Sequence, residues 1–192
     1  MTPEDLVEIE AIKQVKYRYF RFLDLKMWDE IAELFVPEAT CAYSAGAYSF
    51  EGRDAIVGFF RKSMGRETFL SSHKAHHPEI TLTSADSATG VWSLEDWVID
   101  TQWELDIRGA AFYEDDYVKR DGEWKILRTA YKRVMEEVSP RAGRVGLHAT
   151  ASDWSTRGRS RLPAPARTPP PPAFGTRGQE RFRTEPLGQP RR

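Results

Sequence analysis

An α+β fold, helices first and then a curved, mainly antiparallel sheet wrapped around them, is what this 192-residue sequence predicts. Three observations carry that expectation. Apolar residues recur at helical spacing as far as Met64, the period changes to two after Gly65, and four long alternating segments then follow one another between turn residues. A block of helices followed by a meander of strands belongs to the α+β class rather than to an alternating α/β one.

The first helix starts at Thr2-Pro3-Glu4-Asp5, which supplies an N-cap, a proline at N1 and an acid at N3. Leu6, Ile9, Ile12, Val15, Tyr19, Phe22 and Leu23 repeat along it and predict one buried stripe. A second short helix is expected over residues 28–35, ending before Pro37 because a residue ahead of proline avoids helical geometry. Residues 40–43 and 48–50 read as a short hairpin turning at Gly46, and Gly52-Arg53-Asp54 opens a third helix with Ile56, Phe59 and Phe60 inward. Strands are expected over 69–83, 88–103, 109–120 and 123–136, with Asp86 in one turn and Asp121-Gly122 as a tight hairpin of the primed type.

The length suits one domain with a sizeable core, placed at residues 1–139. The boundary near Ser139-Pro140 is sharp, because nine of the twelve prolines lie in 140–192, with few aliphatic residues. Such a segment cannot bury enough apolar surface to offset its ordering entropy, so an Arg/Pro-rich disordered tail is expected there. It carries eleven arginines, no lysine and three acids, a charge of +8 that leaves −9 on the body. An acidic body lacks the clustered basic face that nucleic-acid binding requires. The single cysteine, Cys41, forms no internal disulfide. With no apolar signal-peptide core and no run approaching the roughly 20 residues that span a bilayer, the expected location is cytoplasmic, away from membranes.

The chemistry centres on His73, in Ser71-Ser72-His73-Lys74-Ala75-His76-His77-Pro78. A neutral imidazole held in one tautomer is well suited to removing a proton near neutral pH. Two carboxylates are placed to hold it. Asp96 interrupts the apolar row Trp92, Leu94, Val98 on its strand, and facing side chains on adjacent antiparallel strands lie about 5 Å apart. Asp24 sits at the end of the first helix, where the dipole disfavours an acid and another reason for its presence is implied. Tyr19 belongs to the apolar stripe, so its phenol points toward the sheet. Tyr43 and, on the last strand, Arg133 are further pocket candidates, the Arg for a substrate carboxylate or thioester. Strand alternation sends His73 and His77 one way and His76 the other, so the three do not converge on a metal, and Cys41 has no ligand-like spacing. Neither GxSxG, a P-loop, a dinucleotide fingerprint nor HExxH occurs, which leaves cofactor-free proton transfer as the expected chemistry.

Several runs carry a family resemblance: Tyr17-Arg18-Tyr19-Phe20-Arg21-Phe22-Leu23-Asp24, Ser72-His73-Lys74-Ala75-His76, Leu94-Glu95-Asp96-Trp97-Val98-Ile99-Asp100, Gly109-Ala110-Ala111-Phe112-Tyr113-Glu114, and Trp124-Lys125-Ile126 followed by Tyr131-Lys132-Arg133. On these, residues 6–137 resemble the SnoaL-like branch of the nuclear transport factor 2-like superfamily, and within it the bile acid 7α-dehydratases. The resemblance implies a cone-shaped α+β barrel enclosing a pocket, with Tyr19, Asp24, His73 and Asp96 at catalytic positions and Tyr43 and Arg133 in the pocket wall. It implies a hydro-lyase acting on a hydrophobic polycyclic hydroxy-ketone, free or as a coenzyme A ester, and a homodimer or homotrimer formed through the outer sheet face, where strand alternation, if it holds through to Trp103, places Trp97 and Trp103 opposite Asp96. The same scaffold also hosts isomerases and non-catalytic binding modules, and fold alone does not choose among them.

Overall fold

The computed structural model describes residues 1–142, so nearly all of the expected tail lies outside the described residues. The first helix, α1 (Pro3–Asp24), opens with the capping box that its sequence offers: Asp5 N–H donates to Thr2 Oγ1 at 3.2 Å and Thr2 N–H to Asp5 Oδ2 at 2.6 Å. Its buried face is Ile12, Val15, Lys16, Tyr19, Phe20 and Leu23. Leu6, expected in that stripe, is 53% exposed. Periodicity defines the apolar side of a helix but not how far its partner reaches along it.

The second helix, α2 (Trp28–Ala32), is shorter than expected, and Phe35 opens a strand instead, β1 (Phe35–Tyr43). Pro37 therefore lies inside a strand. Its missing N–H falls where the β1–β6 register shifts between Phe35 and Thr40, so no ladder bond is lost. The hairpin to β2 (Tyr48–Glu51) forms as expected, with Gly46 at φ +91°, and α3 (Arg53–Met64) follows, burying Ile56, Val57 and Phe60.

The remaining chain is the meander β3 (Phe69–Leu82), β4 (Ser87–Asp100), β5 (Leu105–Arg120) and β6 (Glu123–Pro140). Asp121 and Gly122 both have positive φ, as a primed hairpin requires. The six strands lie in the order β2-β1-β6-β5-β4-β3, a curved, unclosed sheet whose one parallel pairing is β1 with β6. The core sits between the sheet and the helices, with Trp92, Ile126 and Phe35 at its centre. β4 stops at Asp100, which puts Trp103 in the following turn rather than on a strand face with Trp97. β6 runs on to Pro140, and Arg141 then pairs with Asp106 at 2.8 Å. Among the described residues no helix is long and apolar enough to cross a membrane.

Candidate active site

Asp24 ends α1, where its carboxylate meets β3 and accepts three hydrogen bonds: from the Ser71 hydroxyl (2.8 Å), from the His73 backbone N–H (2.8 Å) and from His73 Nδ1 (2.6 Å). An ionised carboxylate only accepts, so the proton of a neutral ring resides on Nδ1 and Nε2 carries the lone pair. Phe20 stacks on the imidazole with ring centroids 5.8 Å apart and fixes its plane. Nε2 makes no hydrogen bond within the described residues, and His73 lines a cavity of about 550 Å³. A helix-terminal acid and a strand histidine, 49 positions apart in the chain, thus form an oriented base.

The strand register delivers the other half of the expectation only in part. His73 and Asp96 are register partners across β3 and β4, as alternation requires, and both line the cavity. Asp96, however, is turned to Arg133: both Nη1 and Nη2 of the guanidinium donate to its two carboxylate oxygens, the second at 3.0 Å. Of the two acids expected to orient His73, Asp24 is the one bonded to it. Arg133 lines the cavity as expected, but its guanidinium is already paired within the protein: beside the two bonds to Asp96, its Nε lies 3.0 Å from a Glu136 carboxylate oxygen. Burial works against its charge, but the Asp96 bonds, with the charges of Asp96 and Glu136, hold the guanidinium above its ordinary range.

Across the cavity, the hydroxyls of Tyr19 and Tyr43 share a hydrogen bond of 3.1 Å. Burial chiefly, and each other's proximity, push Tyr19 well above the usual phenol value; burial and Tyr113 do the same for Tyr43. Both remain neutral donors. Tyr113 and Tyr131 complete an aromatic wall, their ring centroids 5.2 Å apart. Neither was singled out from the sequence, although Tyr113, Asp115 and Tyr117 alternate inward along β5 and that period was available.

Beneath Tyr113 lies a buried ion pair that sequence reading also missed. Lys16 Nζ is 2.7 Å from Asp115 Oδ2, both side chains are fully buried, and the ammonium sits 3.5 Å from the centroid of the Tyr113 ring. The hydroxyls of Tyr117 and Thr129 donate to Asp115, each at 2.7 Å. The only advance signal was the position of Lys16, one turn before Tyr19 on the buried stripe. A β-bulge at His76–Glu79 breaks the alternation of β3; His77, at φ +49°, is exposed, and His76 approaches only Glu95, at 3.8 Å. Among the described residues no three His, Cys, Asp or Glu side chains converge as a metal site would require.

Comparison with known proteins adds to this geometry. The family model described as a SnoaL-like domain matches residues 4–130. A candidate scytalone dehydratase from Novosphingobium aromaticivorans is 26% identical with a TM-score of 0.66, over 76% of this chain and 100% of that one. The hexachlorocyclohexane dehydrochlorinase LinA-type3 from Novosphingobium barchaimii is 18% identical with a TM-score of 0.65, over 76% of this chain and 97% of that one. A candidate aromatic ring hydroxylase from Novosphingobium aromaticivorans, 16% identical over 73% of this chain and 96% of that one, has a TM-score of 0.64. At these lower identities the likeness speaks for the fold alone. The extent of the family match is decisive, and the chain belongs to the SnoaL-like domain family.

Proposed function

We propose that the protein is a cofactor-independent lyase that eliminates water from a hydrophobic, polycyclic hydroxy-ketone. The observation that carries this reading is the His73–Asp24 pair, with the lone pair of Nε2 on the cavity side and the neutral Tyr19–Tyr43 phenols in the same wall. Nε2 takes a proton from a carbon made acidic by a conjugated carbonyl, and Asp24 stabilises the imidazolium that results. The electron pair released forms a carbon–carbon double bond as the C–O bond breaks. Tyr19 protonates the departing hydroxide, which leaves as water, and the imidazolium proton restores the phenol. The dehydratase and dehydrochlorinase descriptions of two structural neighbours, both eliminations, support this class.

The resemblance of those sequence runs to bile acid 7α-dehydratases supports, as the substrate of this reading, a 7α-hydroxy-3-oxo-Δ4 steroid, free or as its coenzyme A ester. A cavity of about 550 Å³ walled by Phe59, Phe60, Phe69 and Val98 suits an apolar ring system. Self-association through the outer sheet face completes the reading. Trp97 and Phe112 are 42% and 50% exposed there, and sedimentation velocity tests for the dimer or trimer. Incubation with such steroids, followed by mass spectrometry beside folded His73→Ala protein, tests the chemistry. Loss of water with wild type alone is expected. An isomer of unchanged mass would replace elimination with double-bond migration, and binding without any product would leave a ligand-binding module.

A further inference from the structure

The charges around the cavity do not balance, and the arrangement has a built origin. Three carboxylates, Asp24, Asp96 and Glu136, meet one guanidinium, Arg133, and the His73 imidazole. The Asp96 side chain is 3% exposed and that of Arg133 22%, so their bidentate pair lies largely out of solvent. Gly109 faces Asp96 on one side and Glu136 on the other in the strand register. A Cβ at Gly109 would collide with Arg133 Nη1 and lie 2.9 Å from Asp96 Oδ1, so the pair occupies the space where any other residue would place a side chain. The guanidinium is thereby bonded to Asp96 through both Nη atoms and has Glu136 3.0 Å from Nε, so its charge is met by acids of the protein itself.

We infer that Asp96 is a specificity-determining residue: it fills the anion site that Arg133 would otherwise present, so the cavity admits only molecules that are uncharged where they enter it. This deepens the elimination reading by naming the charge state of the substrate. An acid is taken as its ester, thioester or amide, or with its carboxylate kept outside the mouth. A carboxylate carried inside meets Asp96 and Glu136, and among the described residues the one cation lining the cavity, Arg133, is already paired with them, an unfavourable juxtaposition of like charges.

Calorimetric titration of 2-naphthoic acid and its primary amide at pH 7 tests the inference without depending on turnover. Wild-type protein is expected to bind the amide at least about tenfold more tightly than the acid. Asp96→Asn, which keeps the side-chain shape but removes the charge, is expected to close or reverse that gap by freeing Arg133 for the ligand. Should Asp96→Asn fail to fold, Glu136→Gln, at a side chain 44% exposed, is expected to narrow the gap in the same direction. Equal affinities in wild type, or a gap unchanged in the folded variants, would overturn the charge filter and leave the elimination reading standing. Failure of both probes to bind wild type would overturn the two together.

Discussion

Replacing Asp24 by Asn tests the base most economically, because the change keeps the shape of the side chain and alters only what it accepts. In the structure Oδ1 receives the Ser71 hydroxyl and His73 Nδ1, while Oδ2 receives the His73 backbone N–H. An amide has one oxygen for these two sides. If the oxygen stays with Nδ1, the amide nitrogen opposes the His73 N–H, donor against donor, and a partly buried hydrogen bond is lost at about 1–3 kcal/mol. In the flipped orientation the amide donates to Nδ1 and drives the ring into the Nε2–H tautomer, so the lone pair leaves the cavity side. The same swap in a Ser-His-Asp triad lowers turnover about 10⁴-fold through the wrong tautomer. For Asp24→Asn we expect turnover to fall about 10²- to 10⁴-fold. The melting temperature should drop by about 2–4 °C per kcal/mol lost. Long-range ¹H–¹⁵N correlation spectra read the tautomer directly and need no substrate. Wild type should show His73 protonated at Nδ1, and the variant a shift toward Nε2–H. A wild-type ring protonated at Nε2, or a variant with full turnover, would refute the assignment of Asp24 as the orienting acid.

Tyr19→Phe should cost about 10²- to 10³-fold in turnover with little change in KM, because a single donor to developing charge is removed while the aromatic packing stays; steady-state kinetics on any substrate found by mass spectrometry reads this. Lys16→Met leaves the Asp115 carboxylate buried without its counter-charge and is expected to destabilise by about 3–5 kcal/mol in urea unfolding, whereas Lys16→Met combined with Asp115→Asn should recover most of that loss. Stability should also fall as pH rises above the unfolded phenol value of 10.0. Burial raises Tyr19, Tyr43, Tyr113 and Tyr117 in the folded chain, so their contribution is fully present below that value and lost above it. Lys16 acts in the opposite sense, since burial depresses its folded ammonium, but one ammonium is outweighed by four phenols. Ultraviolet titration of the seven tyrosines should therefore show four that ionise only as the protein unfolds.

Where local chemistry dictates structure, the sequence was legible. Thr2, Pro3 and Asp5 start α1, Asp121-Gly122 closes a hairpin, and the change of period after Gly65 marks the passage from helices to sheet. Legibility fell where a distant partner decides. Phe35 is a strand residue because β6 lies alongside it, and nothing within 28–35 announces that neighbour. The site divides in the same way. Alternation placed Asp96 opposite His73, and the anomaly of an acid at a helix C-terminus singled out Asp24. Which acid takes the imidazole depends on Arg133 reaching Asp96 through the space left by Gly109, a contact among three strands that no local pattern encodes. Lys16 escaped notice because a charged residue on an apolar stripe reads as surface until its partner, Asp115, is known.

The central claim is that His73 acts as a base toward molecules in the cavity. It is tested most directly by exchange: a bound polycyclic ketone that lacks a leaving group is incubated in deuterium oxide, and isotope uptake at its acidic carbon is followed by mass spectrometry. Wild type should accelerate uptake about 10²- to 10⁴-fold over folded His73→Ala protein. Equal rates in the two proteins, with the ketone bound to both, would contradict the account.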